Sequence, residues 1–338
     1  MSLHAHMTDY AFGHAFGHAF GHAFGGAAGH VSGLMPAQLA SLSLWGERAA
    51  EFFRFEYAFV VHALLVAGMV GLVAGIVGVL MVLRGMSLLG DATGHATLPG
   101  VCAAFLVTGT RDPLALMLGA LVAAGLAAWF VSWLSERART RRDANIGISL
   151  SLFFALGVVL LSRVQHSPGG MQAGIDQFLL GSAAGVTREQ VVVVWAVGLT
   201  LLTLLLVFYR GLAHASFDGR HGAAVGVPVR ALEIGLIVAL SLVVVIAIES
   251  VGVVLVAAML VVPPSTGLLL GRRLPSAMVW GGLTGLIAGT TGVFLSFLQE
   301  GLSTGPTMVL VATALFLVVL AVVSLRGRAG SAGAGVRR

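Results

Sequence analysis

The chain contains no lysine, and all nineteen of its basic side chains are arginine. A Walker A sequence needs a lysine to reach the nucleotide phosphates, so this chain carries no P-loop with which to hydrolyse ATP. There is one cysteine, Cys102, which excludes an internal disulfide. It lies in an apolar run and reads as a small buried residue. No HExxH sequence occurs, which removes a zinc protease of that type. Charge of either sign is scarce: 10% of 338 residues are charged, against about 25% in a soluble domain. Water is not the main solvent of such a chain.

Apolar residues are abundant, at 58% of the chain with a mean hydropathy of +0.99. A helix crosses a hydrocarbon core of about 30 Å with about 20 mostly apolar residues, since each backbone polar group must be bonded within the span. Nine runs are of this kind: 57–83, 88–108, 113–134, 146–162, 190–209, 231–248, 251–271, 276–298 and 307–325. The expected fold is therefore an all-α membrane protein, a polytopic bundle of eight or nine transmembrane helices. Residues 57–325 form this domain. A His-rich flexible extension and interfacial segment precede it over 1–56, and a basic tail follows over 326–338.

Arginine sets the orientation, because cytoplasmic loops retain an excess of positive charge. With the end at Arg84 inside, fourteen of the nineteen arginines lie in inside segments, including Arg137, Arg141, Arg210, Arg230 and Arg272. Nine spans then place the N-terminus outside and the C-terminus inside. The formal net charge of +5 follows from this bias and from attraction of the arginine tail to anionic lipid. It calls for no nucleic-acid partner.

Residues 10–25 read YAFGHAFGHAFGHAFG and set His14, His18 and His22 four apart. A tract of this composition can collect divalent metal loosely, although a glycine in every repeat opposes a stable helix. The competing reading is a dispensable extension. From about Leu34 to Glu56, an amphipathic stretch containing Trp45 is expected to lie along the membrane interface.

The second run opens SLLGDATGHATLPG, residues 87–100. An aspartate at the centre of a span costs about 2.5–3.5 kcal/mol on insertion scales, which marks an intramembrane ionisable residue as functional by default. Asp91 and His95 are four apart, so a carboxylate and an imidazole share one helical face and can chelate one divalent ion. Pro99 has no N–H and leaves the carbonyl of His95 without its helical partner. Gly90 and Gly94 permit close approach of another helix. His62, in the first run, is a further candidate for the metal path, although a core histidine bonded to a facing helix is the plainer reading. Pro263 and Pro264 break the seventh run, either as cavity-lining backbone or as a kink.

These residues resemble the ABC-type manganese, zinc and iron permeases, from about Phe59 to Val323. LRGMSLLGDATGHATLPGV at 83–101 is similar to the family's second-span motif, and DANIGISLSLFFALGVVLLS at 143–162, AGIDQFLLGSAAGV at 173–186, GVVLVAAMLVVPPSTGLLL at 252–270 and TGPTMVLVATALF at 304–316 match further. The resemblance implies a transmembrane permease subunit of an ATP-driven importer for a divalent transition metal. It assigns Asp91 and His95 to the metal path. It also implies an ATP-binding subunit on the cytoplasmic side, an external metal-binding protein and a second permease copy, in the cell's plasma membrane.

On this resemblance the chain is not itself an enzyme and holds no permanent cofactor; the metal is cargo, and the partner uses the ATP. SFDGRHGAAVGVPV at 216–229 is similar to the stretch that meets the ATPase, which makes Phe217, Asp218, Ala223 and Gly226 candidate contacts. Gly219 to Gly222 depart from the family's usual run there. The 173–186 stretch is closer to manganese-type members, and the His-rich tail argues for zinc. A secondary transporter driven by protons or an ion gradient, with Asp91 and His95 as ligand and proton relay, is the alternative.

Overall fold

The structure, a computed structural model, describes Phe52 and residues 58–110, 112–137, 140–166, 186–217, 224–299 and 302–334. Contacts divide the chain into two units, Met1–Glu56 and Tyr57–Arg338. The His-rich repeat and the expected interfacial stretch lie outside the described residues, as does 173–185 of the AGIDQFLLGSAAGV match.

Among its described residues the second unit contains ten helices: α1 Ala58–Leu83, α2 Leu89–Thr108, α3 Pro113–Arg137, α4 Arg142–Gln165, α5 Arg188–Val207, α6 Tyr209–Phe217, α7 Val229–Val251, α8 Val253–Leu270, α9 Leu274–Leu298 and α10 Thr304–Ala334. No strand occurs among the described residues. Each of the nine apolar runs becomes a helix, and α6 is an additional short one. Among the described residues, seven of the nine helices formed by these runs are long and apolar enough to cross a membrane. The two that fall short are α2 and α8. In α2, length is sufficient, but Asp91, His95 and Pro99 lower its hydropathy. Helix α8 is the shorter of the two and begins directly after Gly252, which turns the chain at φ +88° and caps both α7 and α8. At the other end, α10 continues through Ala334, into the stretch expected as a tail.

Helix ends follow local chemistry. Gly85, at φ +65°, closes α1: its N–H donates to Val82 O at 3.0 Å, and the Met86 N–H donates to Met81 O at 2.9 Å. This pair of bonds is a Schellman motif, which favours glycine because a Cβ is strained at such φ. At the start of α5, Thr187 and Gln190 form a reciprocal capping box, which satisfies two of the unpaired N–H groups of the first turn.

In lipid the association of helices depends on close packing, and small residues permit it. The most extensive contact in the bundle joins α1 to α9. There a Cβ added to Gly71 would sit 2.1 Å from Gly285 O, and one on Gly75 would sit 2.2 Å from Gly281 O. Helix α2 is surrounded by α3, α4, α7 and α8. Its Leu98, Cys102 and Phe105 pack with Val164, and its Val101 packs with Ala120 and Val245. Large apolar side chains on the outer faces, such as Leu118, Val122 and Trp129 of α3 and Leu310, Leu317 and Val318 of α10, are exposed, as lipid-facing positions should be. The helix that carries Asp91 and His95 is thus packed among four others.

Candidate metal site in α2

The Schellman turn after α1 leads within a few residues into α2, whose first turn carries Asp91. An acid there is favoured by the unpaired N–H groups and the positive end of the helix dipole. One turn on, His95 Nε2 stands 3.4 Å from Asp91 Oδ1, with side-chain exposures of 24% for His95 and 33% for Asp91. The pair is therefore neither sealed in the core nor open to bulk solvent. Two donors each about 2.1 Å from one ion, subtending a tetrahedral angle, are themselves about 3.4 Å apart. The observed Nε2–Oδ1 separation is of this size.

Neighbouring groups fix this face. The Phe154 ring of α4 meets His95 edge-on, with centroids 5.2 Å apart and planes at 82°, which limits rotation of the imidazole. Pro99 is buried and packs toward α4, where a Cβ on Gly157 would lie 2.9 Å from its Cδ. Lacking an N–H, it leaves the His95 carbonyl one bond short on the same helix. The buried hydroxyls of Thr93 and Thr97 donate to carbonyls of α2 itself, at Leu89, Gly90 and Gly94. Gly90 admits α8, since a Cβ there would sit 2.7 Å from Leu260 Cδ1.

The other expected positions are not gathered at this site. His62, half-buried, lies near the start of α1, and among the described residues no group of three or more His, Cys, Asp or Glu forms a cage for a metal. The Asp91–His95 pair thus stands as a two-donor site. Pro263 and Pro264 do not line it; they pack inside α8 against α1, where a Cβ on Gly78 would sit 2.3 Å from the Pro264 ring and 2.5 Å from Leu260 O. The Pro263 carbonyl accepts a hydrogen bond from Thr284 of α9 at 3.1 Å. Both prolines are thus at a packed helix interface.

Of the candidate ATPase contacts, Phe217 ends α6 and is 69% exposed. Gly226 is exposed at φ +81°, with open space where a side chain would project. Asp218 and Ala223 lie outside the described residues, as do His14, His18 and His22. Sequence reasoning passed over Phe154, which offered no signal beyond being one apolar residue among many. It also counted Arg84 only as a loop charge.

A profile of the ABC 3 transport family matches residues 56–323. The manganese transport system membrane protein MntC of Bacillus subtilis is 38% identical over 265 residues, covering 78% of this chain and 61% of that protein. This chain therefore spans less than two thirds of that relative's length. The zinc transport system membrane protein TroC of Treponema pallidum is 34% identical over 257 residues, covering 76% of this chain and 86% of TroC. Among solved structures, PsaBC from Streptococcus pneumoniae in complex with Fab superposes with a TM-score of 0.70 at 34% identity, covering 80% of this chain and 94% of that one. With a family match that runs from the start of α1 into α10 and a fold shared with a solved relative, the chain belongs to the ABC 3 transport family.

Proposed function

We propose that the chain is the permease subunit of an ATP-driven importer for a divalent transition metal, with manganese favoured over zinc and iron. Asp91 and His95 are the residues that receive the ion in the membrane. The observation that carries this reading is the 3.4 Å carboxylate–imidazole pair on one face of α2, held beside Pro99 in the helix that the rest of the bundle screens from lipid. A carboxylate and an imidazole suit manganese, zinc and iron alike, so the preference for manganese rests on the relative from Bacillus subtilis and on the 173–186 segment.

Two donors are fewer than the four to six that such ions take. Water, the His95 carbonyl or the same pair from a second permease copy supplies the rest. ATP is hydrolysed by a separate subunit that meets the face bearing Phe217 and Gly226, and an external binding protein delivers the ion from the opposite side.

The test is reconstitution in proteoliposomes with radiolabelled manganese, zinc and iron. The chain alone should hydrolyse no ATP. With its ATPase and binding protein added, it should take up manganese in an ATP-dependent manner. Turnover by the lone chain, or uptake driven by a proton gradient without the ATPase, would refute the reading.

A further inference from the structure

Arg84 is the C-cap of α1 and is only 5% exposed at its side chain. Removal of a guanidinium from water is costly, so the partners it does find matter to its position. It is engaged by two different elements. Its Nε donates to Ser216 Oγ of α6 at 3.1 Å, and Ser216 in turn donates to Leu212 O at 2.7 Å. Its Nη1 stands 3.7 Å from Glu233 Oε1 in α7. Ser216 directly precedes Phe217, and Glu233 lies just beyond the start of α7. One side chain therefore grips both flanks of the segment that carries Phe217 and Gly226.

The other side of Arg84 is the turn into α2. Gly85 and buried Met86 are bonded back to α1, and Leu89, also buried, opens the helix that holds Asp91 two residues later. We propose that Arg84 is a positioning residue that couples movement of the ends of α6 and α7 to the helix bearing Asp91 and His95, through its simultaneous contacts with Ser216 and Glu233. This rests on the function proposed above, in which the segment that carries Phe217 and Gly226 meets the ATPase.

The physical basis is the planar, multi-donor fork of arginine, which can hold two partners in fixed relative positions, as a lysine ammonium cannot. A displacement of the α6 and α7 ends would break the contacts with Ser216 and Glu233 unless the 84–88 turn followed. Following it moves the start of α2. Glu233 and Met86 also line a polar cavity of about 360 Å³ together with Ser132, Ser135, Glu136 and Thr140, which leaves room for such a shift.

The experiment measures radiolabelled manganese uptake and ATP hydrolysis on the same proteoliposomes, using the permease–ATPase complex. Arg84→Gln should lower the ions taken up per ATP about fivefold or more, the range of typical coupling between sites, while the ATPase still co-purifies. Ser216→Ala and Glu233→Gln are milder and should shift the ratio in the same direction, and they carry the test if Arg84→Gln does not assemble. Arg84→Gln combined with Glu233→Gln should be no worse than Arg84→Gln alone, since both remove one contact. Arg84→Lys should recover only part of the ratio. Uptake and hydrolysis falling together at constant ratio, or a ratio unchanged in every assembled variant, would overturn the proposal. Failure of the parent complex to take up metal would refute the proposed function instead, so the two failures are told apart by the unmodified protein.

Discussion

Replacing Asp91 by Asn keeps the shape of the side chain and removes its charge, which separates a metal ligand from a structural partner. A unit negative charge about 4 Å from a dication, farther than direct ligation and so a lower bound, is worth about 2 kcal/mol at the dielectric of water and about 8 kcal/mol at an effective dielectric of about 20. Asp91 is a third exposed, so the lower figure is the safer one. About 2 kcal/mol corresponds to a loss of about 30-fold at limiting metal. The structural role of the same carboxylate is smaller. A partly exposed i, i+4 pair with His95 contributes about 0.5 kcal/mol or less, a change of a few degrees at most in the melting temperature.

Metal-dependent uptake and thermal unfolding of Asp91→Asn, measured side by side, should therefore diverge: uptake nearly lost, stability nearly unchanged. His95→Ala should behave similarly. The double variant should be little worse than either single one, because both serve one ion. Near-normal uptake by Asp91→Asn, or a loss of uptake matched by a loss of folded protein, would remove Asp91 from the metal path.

Gly71→Ala drives a methyl group toward Gly285 O and should destabilise the bundle by about 1–3 kcal/mol, whereas Gly125→Ala, which meets nothing within 4 Å, should be neutral or stabilising by up to about 1 kcal/mol; equal thermal stabilities in detergent would contradict the α1–α9 packing. In a Cys102→Ala background, Thr140→Cys should react with a membrane-impermeant thiol reagent only from the cytoplasmic side and Ser303→Cys only from outside, and the reverse pattern would invert the arginine-based orientation. Deleting residues 2–30 should leave maximal uptake intact and lower it only at scarce metal, since a loosely binding tract raises local ion concentration without shaping a path; complete loss with normal insertion would assign the tract a structural role. Gly226→Trp should weaken co-purification of the ATPase, both because φ is +81° there and because the new side chain projects from the expected contact face. Unchanged co-purification would place that contact elsewhere.

Much of this molecule was legible without coordinates because the bilayer imposes local rules. Hydrocarbon admits helices of a set length, so the nine apolar runs announced nine of the helices, and the i, i+4 spacing of Asp91 and His95 put both on one face of α2 whatever surrounds them. The limits of local reasoning appear where distant parts of the chain meet. Hydropathy alone discounts α2 as a span, yet α3, α4, α7 and α8 enclose it, so its polar groups need not face lipid. Pro263 and Pro264 suggested a cavity wall, with a plain kink close behind, and only the approach of Gly78 and the hydrogen bond from Thr284 show that they are packed against neighbouring helices. Phe154 beside His95 and the burial of Arg84 between α6 and α7 depend on residues tens to more than a hundred positions away. Hydropathy and periodicity are properties of neighbours along the chain and were determined by the sequence itself; which side chain meets which across helices is set by close packing of the whole bundle, and only the tertiary structure decides it.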